Sequence, residues 1–129
     1  MKNQRLEDRR QLHRYPHIMD AQGKLLGYLA DISLHGMLMI AHHAIEPGDI
    51  QKFWIHLPKH LPFHQPIFPI TVEIRWFRPY VHQDHLFVIG CQFPDLPVAD
   101  QKLIQEIQSL LGFDPDFHPT RYVKPLDEA

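Results

Sequence analysis

Alternation of apolar and polar residues is clearest between residues 70 and 93. In "ITVEIRWF" the apolar positions share one face with a period of two: Ile70, Val72, Ile74 and Trp76. That period is typical of a strand with one buried face. "HLFVIGCQF" repeats the pattern from Phe87 to Phe93, with Gly90 on the opposite face, where it permits a bend or the close approach of another backbone. We therefore predict two half-buried strands.

Three earlier segments are apolar runs of strand length: "KLLGYLAD", "GMLMIAH" and "IQKFWIHL". The turn signals "SLHG" and "EPGD" separate them. Five or six strands are predicted in all. Because the links are short and carry no helical pattern, antiparallel neighbours in a small barrel or sandwich are favoured over βαβ units.

After Phe93 the apolar period becomes helical, at Leu103, Ile104, Ile107, Leu110 and Leu111. Pro97 suits the first turn of this helix and Gly112 its end. We predict an amphipathic helix that covers an open edge or mouth of the barrel. Residues 113–129 are rich in Pro and Asp and are predicted to form an extended or disordered tail, in which Phe113, Phe117 and Tyr122 offer aromatic side chains for docking on the barrel.

Composition limits the chain to one soluble domain, since 129 residues with 44% hydrophobic content suffice for a single packed core. The lone Cys91 excludes an internal disulfide and fits a reducing compartment. The N-terminus is charged where a signal peptide is apolar, and no apolar run approaches the ~20 residues of a spanning helix. A cytoplasmic location without membrane insertion is predicted.

Positive charge is concentrated at the N-terminus of a chain whose formal net charge is −2. The first fifteen residues hold five Lys and Arg against two Asp and Glu, and Arg9, Arg10 and Arg14 all lie within "EDRRQLHRYPH". Proteins that bind nucleic acid nonspecifically usually spread cations over a whole face, because affinity grows with the number of phosphates neutralised. The confined charge is better suited to a small anion.

A second stretch, "DISLHG", complements these arginines chemically. Arginine can bind a phosphate, bond the O6/N7 edge of guanine, or stack on a purine. Asp31 accepts hydrogen bonds from guanine N1 and N2, Ser33 donates or accepts, and Gly36 allows a positive φ or an unobstructed backbone beside a ligand. Together the two stretches predict a guanine-nucleotide site.

These motifs resemble those of the PilZ domain family. RxxxR occurs as Arg10 to Arg14, and DxSxxG as Asp31, Ser33 and Gly36. The order of later landmarks is also similar: a strand ending in Trp ("VEIRW"), a strand with a Gly-x-x-Phe element ("IGCQF"), and a C-terminal helix ("KLIQEIQSLL"). The resemblance spans roughly residues 5–111.

The resemblance implies a six-stranded antiparallel β-barrel of the split-barrel type with a C-terminal helix. It also implies a bacterial receptor for cyclic di-GMP that signals by conformational change to an unidentified partner protein. A basic arm (1–15) would carry RxxxR, a barrel with its helix (16–112) would carry DxSxxG, and the tail (113–129) would follow. Arg10 and Arg14 would bind guanine edges and phosphates, and Asp31 and Ser33 the base. Arg9 is an additional donor that favours an intercalated dimer of the ligand.

The same residues also allow other interpretations. The arginines alone could form a solvated basic face, and DxSxxG alone a strand end and turn. His56, His60 and His64 recur every four residues, but Pro58 and Pro62 interrupt the segment and no Cys joins it, so no metal or other cofactor is predicted. The sequence has no nucleophile-elbow motif and no Gly-rich phosphate loop, so we do not predict an enzyme. The alternative functions are a nucleotide-independent module in pilus or motility assembly and an OB-like single-strand nucleic-acid binder.

Overall fold

Six antiparallel strands close into a barrel in the computed structural model, which describes residues 15–119. The order around the barrel is β1-β2-β3-β6-β5-β4, and β4 pairs with β1 to close it. The strands are β1 (His17–Met19), β2 (Leu25–Ser33), β3 (Gly36–Ala41), β4 (Ile50–His56), β5 (Ile67–Pro79) and β6 (Phe87–Gln92). Helix α1 (Val98–Leu111) follows. The prediction of a six-stranded antiparallel barrel with a C-terminal helix is confirmed.

The five apolar segments singled out in the sequence correspond to β2 through β6. Strand β1 has only three residues, too few to show a period. Its place is set by pairing on both sides: His17 lies opposite Tyr28 of β2 and opposite His56 of β4. A strand too short to recognise therefore closes the barrel.

The interior of the barrel holds the main hydrophobic core. Its fully buried members include Ile18, Leu29, Met39, Phe53, Phe68, Ile89 and Cys91. Burial raises the pKa of the Cys91 thiol well above its usual range. Burying apolar side chains of this size stabilises the fold by about 1.5–3 kcal/mol each.

Helix α1 covers one end of the barrel, because Leu103, Ile104 and Ile107 join the interior core. The predicted ends are confirmed. Pro97 precedes the first turn, and Gly112 ends the helix in the left-handed conformation, with its N–H donating to the Gln108 carbonyl at 2.8 Å. The Gln108 amide donates to the carbonyl of Ile32 at 3.1 Å and so ties the helix to β2. No helix within residues 15–119 is long and apolar enough to cross a membrane.

A β-bulge in β5 overturns one expectation from the sequence. Pairing with β6 shifts register between Ile74 and Trp76. Ile74 belongs to the interior core, whereas Trp76 lies opposite Gly90 in a separate cluster outside the barrel. The extra residue of a bulge reverses which side chains face inward, so the period-two pattern ends one residue before Trp76.

Two smaller apolar clusters, which share Ala30 and Tyr80 as partly buried neighbours, lie outside the barrel, and together we call them the outer apolar face. Its buried residues are Leu38, Ile40, Trp76, Leu86, Val88 and Phe117. As a result, every residue of β3 is buried, although a strand with one solvated face would alternate. Two residues of the outer apolar face adjoin the DxSxxG motif: Leu38 lies opposite Asp31, and the Phe117 carbonyl accepts a hydrogen bond from Ser33.

Replacing Gly90 with alanine is expected to destabilise the fold through Trp76. A Cβ atom at Gly90 would lie 2.3 Å from the indole Cε2 and Nε1 atoms, so the ring has to move. We expect a loss of about 1–3 kcal/mol in the free energy of unfolding, measured by urea denaturation. In a Trp76→Leu background, Gly90→Ala should lower the free energy of unfolding by much less. An equal loss in both backgrounds would contradict the assigned contact.

Candidate functional site

The β2–β3 hairpin brings the three DxSxxG residues together on the outside of the barrel. Asp31 lies opposite Leu38, and Ser33 lies opposite Gly36. A β-bulge between Leu29 and Asp31 shifts the register of β2. Asp31 therefore pairs with Leu38, which faces outward, while Leu29 remains in the interior core. The two strands and their short turn thus fix the relative positions of the three residues.

Ser33 is fully buried, and its hydroxyl has two partners. The Ser33 Oγ accepts a hydrogen bond from the backbone N–H of His35 at 3.0 Å, which stabilises the hairpin turn. The same hydroxyl donates to the backbone carbonyl of Phe117, a residue beyond helix α1. Ser33 therefore connects the motif to the C-terminal part of the chain.

Asp31 is half-buried, and its environment disfavours the ionised form. Desolvation raises the pKa of the carboxyl to about 6. The N–H of Ile32, which donates to Oδ1 at 2.9 Å, acts in the opposite direction, and the charge of Asp114 raises the pKa further. Hydrogen-bond donors from guanine or from arginine would favour the charged carboxylate and so act against this shift.

Gly36 is required by packing. A Cβ atom there would lie 2.1 Å from the carbonyl oxygen of Cys91 and 2.8 Å from Cγ of Pro119. The close approach of β6 therefore explains this glycine within the fold itself. The sequence interpretation of Gly36, an unobstructed backbone beside a ligand, stays a prediction.

Trp76 and Arg78 also belong to this region, and the sequence interpretation did not include them in the site. The Trp76 indole lies over Gly90, and its Nε1 donates to the carbonyl of Pro119 at 3.0 Å. The Arg78 guanidinium carbon is 6.0 Å from the centre of the Trp76 ring. The only sequence signal for the position of Trp76 was Gly90, the residue paired with it on the neighbouring strand, since a glycine leaves space for a large ring.

Arg9, Arg10 and Arg14, the predicted arm residues, lie outside the described residues. Tyr15 is the first residue described, and it packs against the outer apolar face beside Ile40 and Leu86. Tyr15, the residue that follows RxxxR in the sequence, therefore lies on the outer apolar face. Arg14 immediately precedes Tyr15 in the sequence.

A distinct groove of about 650 Å³ is lined by histidines and apolar residues, including Tyr15, His17, His56 and His60. It does not include Asp31, Ser33 or Gly36. Within residues 15–119 no group of three or more His, Cys, Asp or Glu side chains is arranged to hold a metal ion. The groove and the DxSxxG hairpin are thus separate features.

The sequence from residue 3 to residue 109 matches the model of the PilZ domain family. The chain belongs to the PilZ domain family. A search of solved structures finds the PilZ domain of YcgR from Escherichia coli, determined with c-di-GMP, at a TM-score of 0.56. The two are 16% identical, and the match covers 75% of this chain and 82% of the YcgR domain. No curated protein matches the chain in sequence.

The family match includes the positions of RxxxR and of DxSxxG and ends within helix α1. The YcgR comparison establishes the shared PilZ barrel. Residues 110–119 lie beyond the family match, and they include the Phe117 and Pro119 carbonyls that contact Ser33 and Trp76.

Proposed function

We propose that this PilZ domain is a receptor for cyclic di-GMP and that its activity is binding, with no chemical conversion of the ligand. Asp31 and Ser33 would recognise the guanine base, Gly36 would flank it, and Arg9, Arg10 and Arg14 would bind phosphates and guanine edges. The observation that carries the proposal is the placement of Asp31, Ser33 and Gly36 side by side on the outside of a PilZ barrel. The YcgR domain, which shares the fold, was solved with c-di-GMP.

Charge explains why both motifs would be needed. Asp31 and Asp114 make the described part of the site acidic, and Arg78 is the cation beside Trp76. A ligand with two phosphates requires more positive charge than this surface provides. The arginines of the arm would supply it, and closure of the arm on the ligand would be the conformational change transmitted to a partner in the bacterial cytoplasm.

The functional alternatives are distinguished by one set of calorimetric titrations. The unmodified protein is titrated with cyclic di-GMP, cyclic di-AMP, GTP and a single-stranded oligonucleotide at matched salt. We expect saturable binding of cyclic di-GMP and much weaker binding of the others. Preference for the oligonucleotide would instead support a nucleic-acid binder, and absence of binding to all four would support a nucleotide-independent interaction module.

Arg9 is expected to set the number of bound ligands. An intercalated dimer of cyclic di-GMP carries twice the phosphate charge of one molecule, and Arg9 adds a donor next to RxxxR. We expect two ligands per chain in the unmodified protein and a fall toward one in Arg9→Leu, measured by calorimetry. Arg5→Leu, in the same arm but farther from the motif, serves as the control. One ligand in the unmodified protein, or two in both Arg9→Leu and the parent, would contradict this role.

A further inference from the structure

The segment Phe113–Pro119, which we call the C-terminal segment, lies directly on the proposed ligand surface. Ser33 donates to the Phe117 carbonyl, and the Trp76 indole donates to the Pro119 carbonyl at 3.0 Å. The rings of His35 and His118 stack with their centres 4.7 Å apart. His35 is itself inside DxSxxG, so the segment contacts the motif at two residues, Ser33 and His35.

Phe117 anchors this segment by filling the outer apolar face. Its side chain is 6% exposed and packs with Leu38, Trp76 and Val88. These partners come from β3, β5 and β6. A buried aromatic ring contributes enough to hold a short segment that has little regular structure of its own.

The C-terminal segment contacts Ser33 and Gly36, two of the residues that we propose for binding the guanine base. The Ser33 hydroxyl is already bonded on both its donor and acceptor sides. The Pro119 ring stands 2.8 Å from the point where a Gly36 side chain would begin. Asp114 places a negative charge near Asp31, where a guanine donor would approach. A guanine base and this segment cannot both use Ser33 and the space over Gly36.

We infer that the C-terminal segment competes with cyclic di-GMP for the DxSxxG surface, and that Phe117 sets the apparent affinity through this competition. The inference rests on the proposed function. When the segment is bound, only the fraction of molecules with a free surface binds ligand, so apparent affinity falls in proportion. By reciprocity, ligand binding releases the segment and exposes the Phe117 side chain.

Calorimetry on the full chain tests the competition with Phe117→Ala. Removing the anchor is expected to tighten cyclic di-GMP binding by about tenfold, because the competing state loses its main apolar contact. Phe63→Ala is the matched control: Phe63 packs on the interior core, away from the motif, and should leave affinity unchanged. His118→Ala, which removes the ring stacked on His35, should shift affinity in the same direction by a smaller factor.

Chymotrypsin cleavage after Phe113 and Phe117 provides a second readout that does not depend on the variants. Saturating cyclic di-GMP should accelerate cleavage of the unmodified protein within the segment. Unchanged or weaker affinity in both Phe117→Ala and His118→Ala, or cleavage that ligand slows, would overturn the competition while leaving the proposed function intact. Absence of cyclic di-GMP binding in every variant and in the parent would overturn the proposed function, and the competition with it.

Discussion

Replacing Arg14 or Arg10 with alanine is expected to weaken cyclic di-GMP binding by roughly 10- to 100-fold in each variant. A charge-assisted hydrogen bond contributes about 1.5–3 kcal/mol, and each arginine would provide at least one to a phosphate or a guanine edge. Both arginines belong to the predicted basic arm, which precedes all six barrel strands in the sequence. The melting temperature without ligand should therefore remain close to that of the parent.

Two further variants identify what the arginines contribute. Arg14→Lys keeps the charge but loses the planar donor fork, so it should recover only part of the affinity. Arg5→Ala removes an arm charge outside RxxxR and should have a small effect that high salt abolishes. Affinities are compared by calorimetry at two salt concentrations. Parent-like affinity in both Arg10→Ala and Arg14→Ala would show that the arm does not form the site.

Replacing Asp31 with asparagine is expected to weaken cyclic di-GMP binding strongly while making the free protein more stable at neutral pH. The amide keeps the shape and an acceptor for the Ile32 N–H, but it places an NH₂ group where guanine presents donors. We expect a loss of roughly 10- to 100-fold in affinity. Selectivity for guanine over adenine should fall with it.

The pH dependence of Asp31 has a definite sign. The folded-state pKa is about 6, above the ordinary value of 3.8, so the folded state binds the proton more tightly than the unfolded state does. The stabilising contribution of the protonated group is fully present below the unfolded pKa and is lost as pH rises through about 6. Above that pH, the free energy of unfolding of Asp31→Asn should exceed that of the parent by about 1 kcal/mol. This value is reduced for solvent screening, because the carboxyl is only half-buried.

Denaturation curves for both proteins between about pH 4 and pH 8 test this linkage. Asp84→Asn, which changes an exposed carboxyl in the β5–β6 loop, is the matched control and should follow the parent. Cyclic di-GMP affinity of the parent should also decrease as the pH falls through about 6, because a protonated Asp31 loses its charge, and Asp31→Asn should lack this step. A stability difference that does not change with pH would contradict the assigned pKa shift.

Local patterns were sufficient to predict most of the barrel. The alternation in "ITVEIRWF" and "HLFVIGCQF" located β5 and β6, and Gly112 ended helix α1 as expected. Strand β1 carries too few residues for a period to be visible. The β5 bulge is set by pairing with β6, a distant segment, so the alternation gave no sign that Trp76 turns outward.

The site shows the same division between local and distant information. Asp31, Ser33 and Gly36 are close in sequence, and a hairpin necessarily brings them together. The contact of Ser33 with Phe117 and that of Trp76 with Pro119 join residues separated by 84 and 43 positions. No periodic pattern specifies which carbonyl such a donor reaches. Phe117 was identified in the sequence only as an apolar side chain able to dock, without a partner.

The most direct test of cyclic di-GMP binding at the DxSxxG hairpin is an NMR titration of the ¹⁵N-labelled protein. The ligand should shift the backbone amides from Asp31 to Gly36 and the Trp76 indole N–H, which now donates to Pro119. The amides around His60, in the separate groove, should remain at their original positions. Shifts confined to that groove, or a titration that leaves the Asp31–Gly36 amides and the Trp76 indole unchanged, would contradict the proposed site.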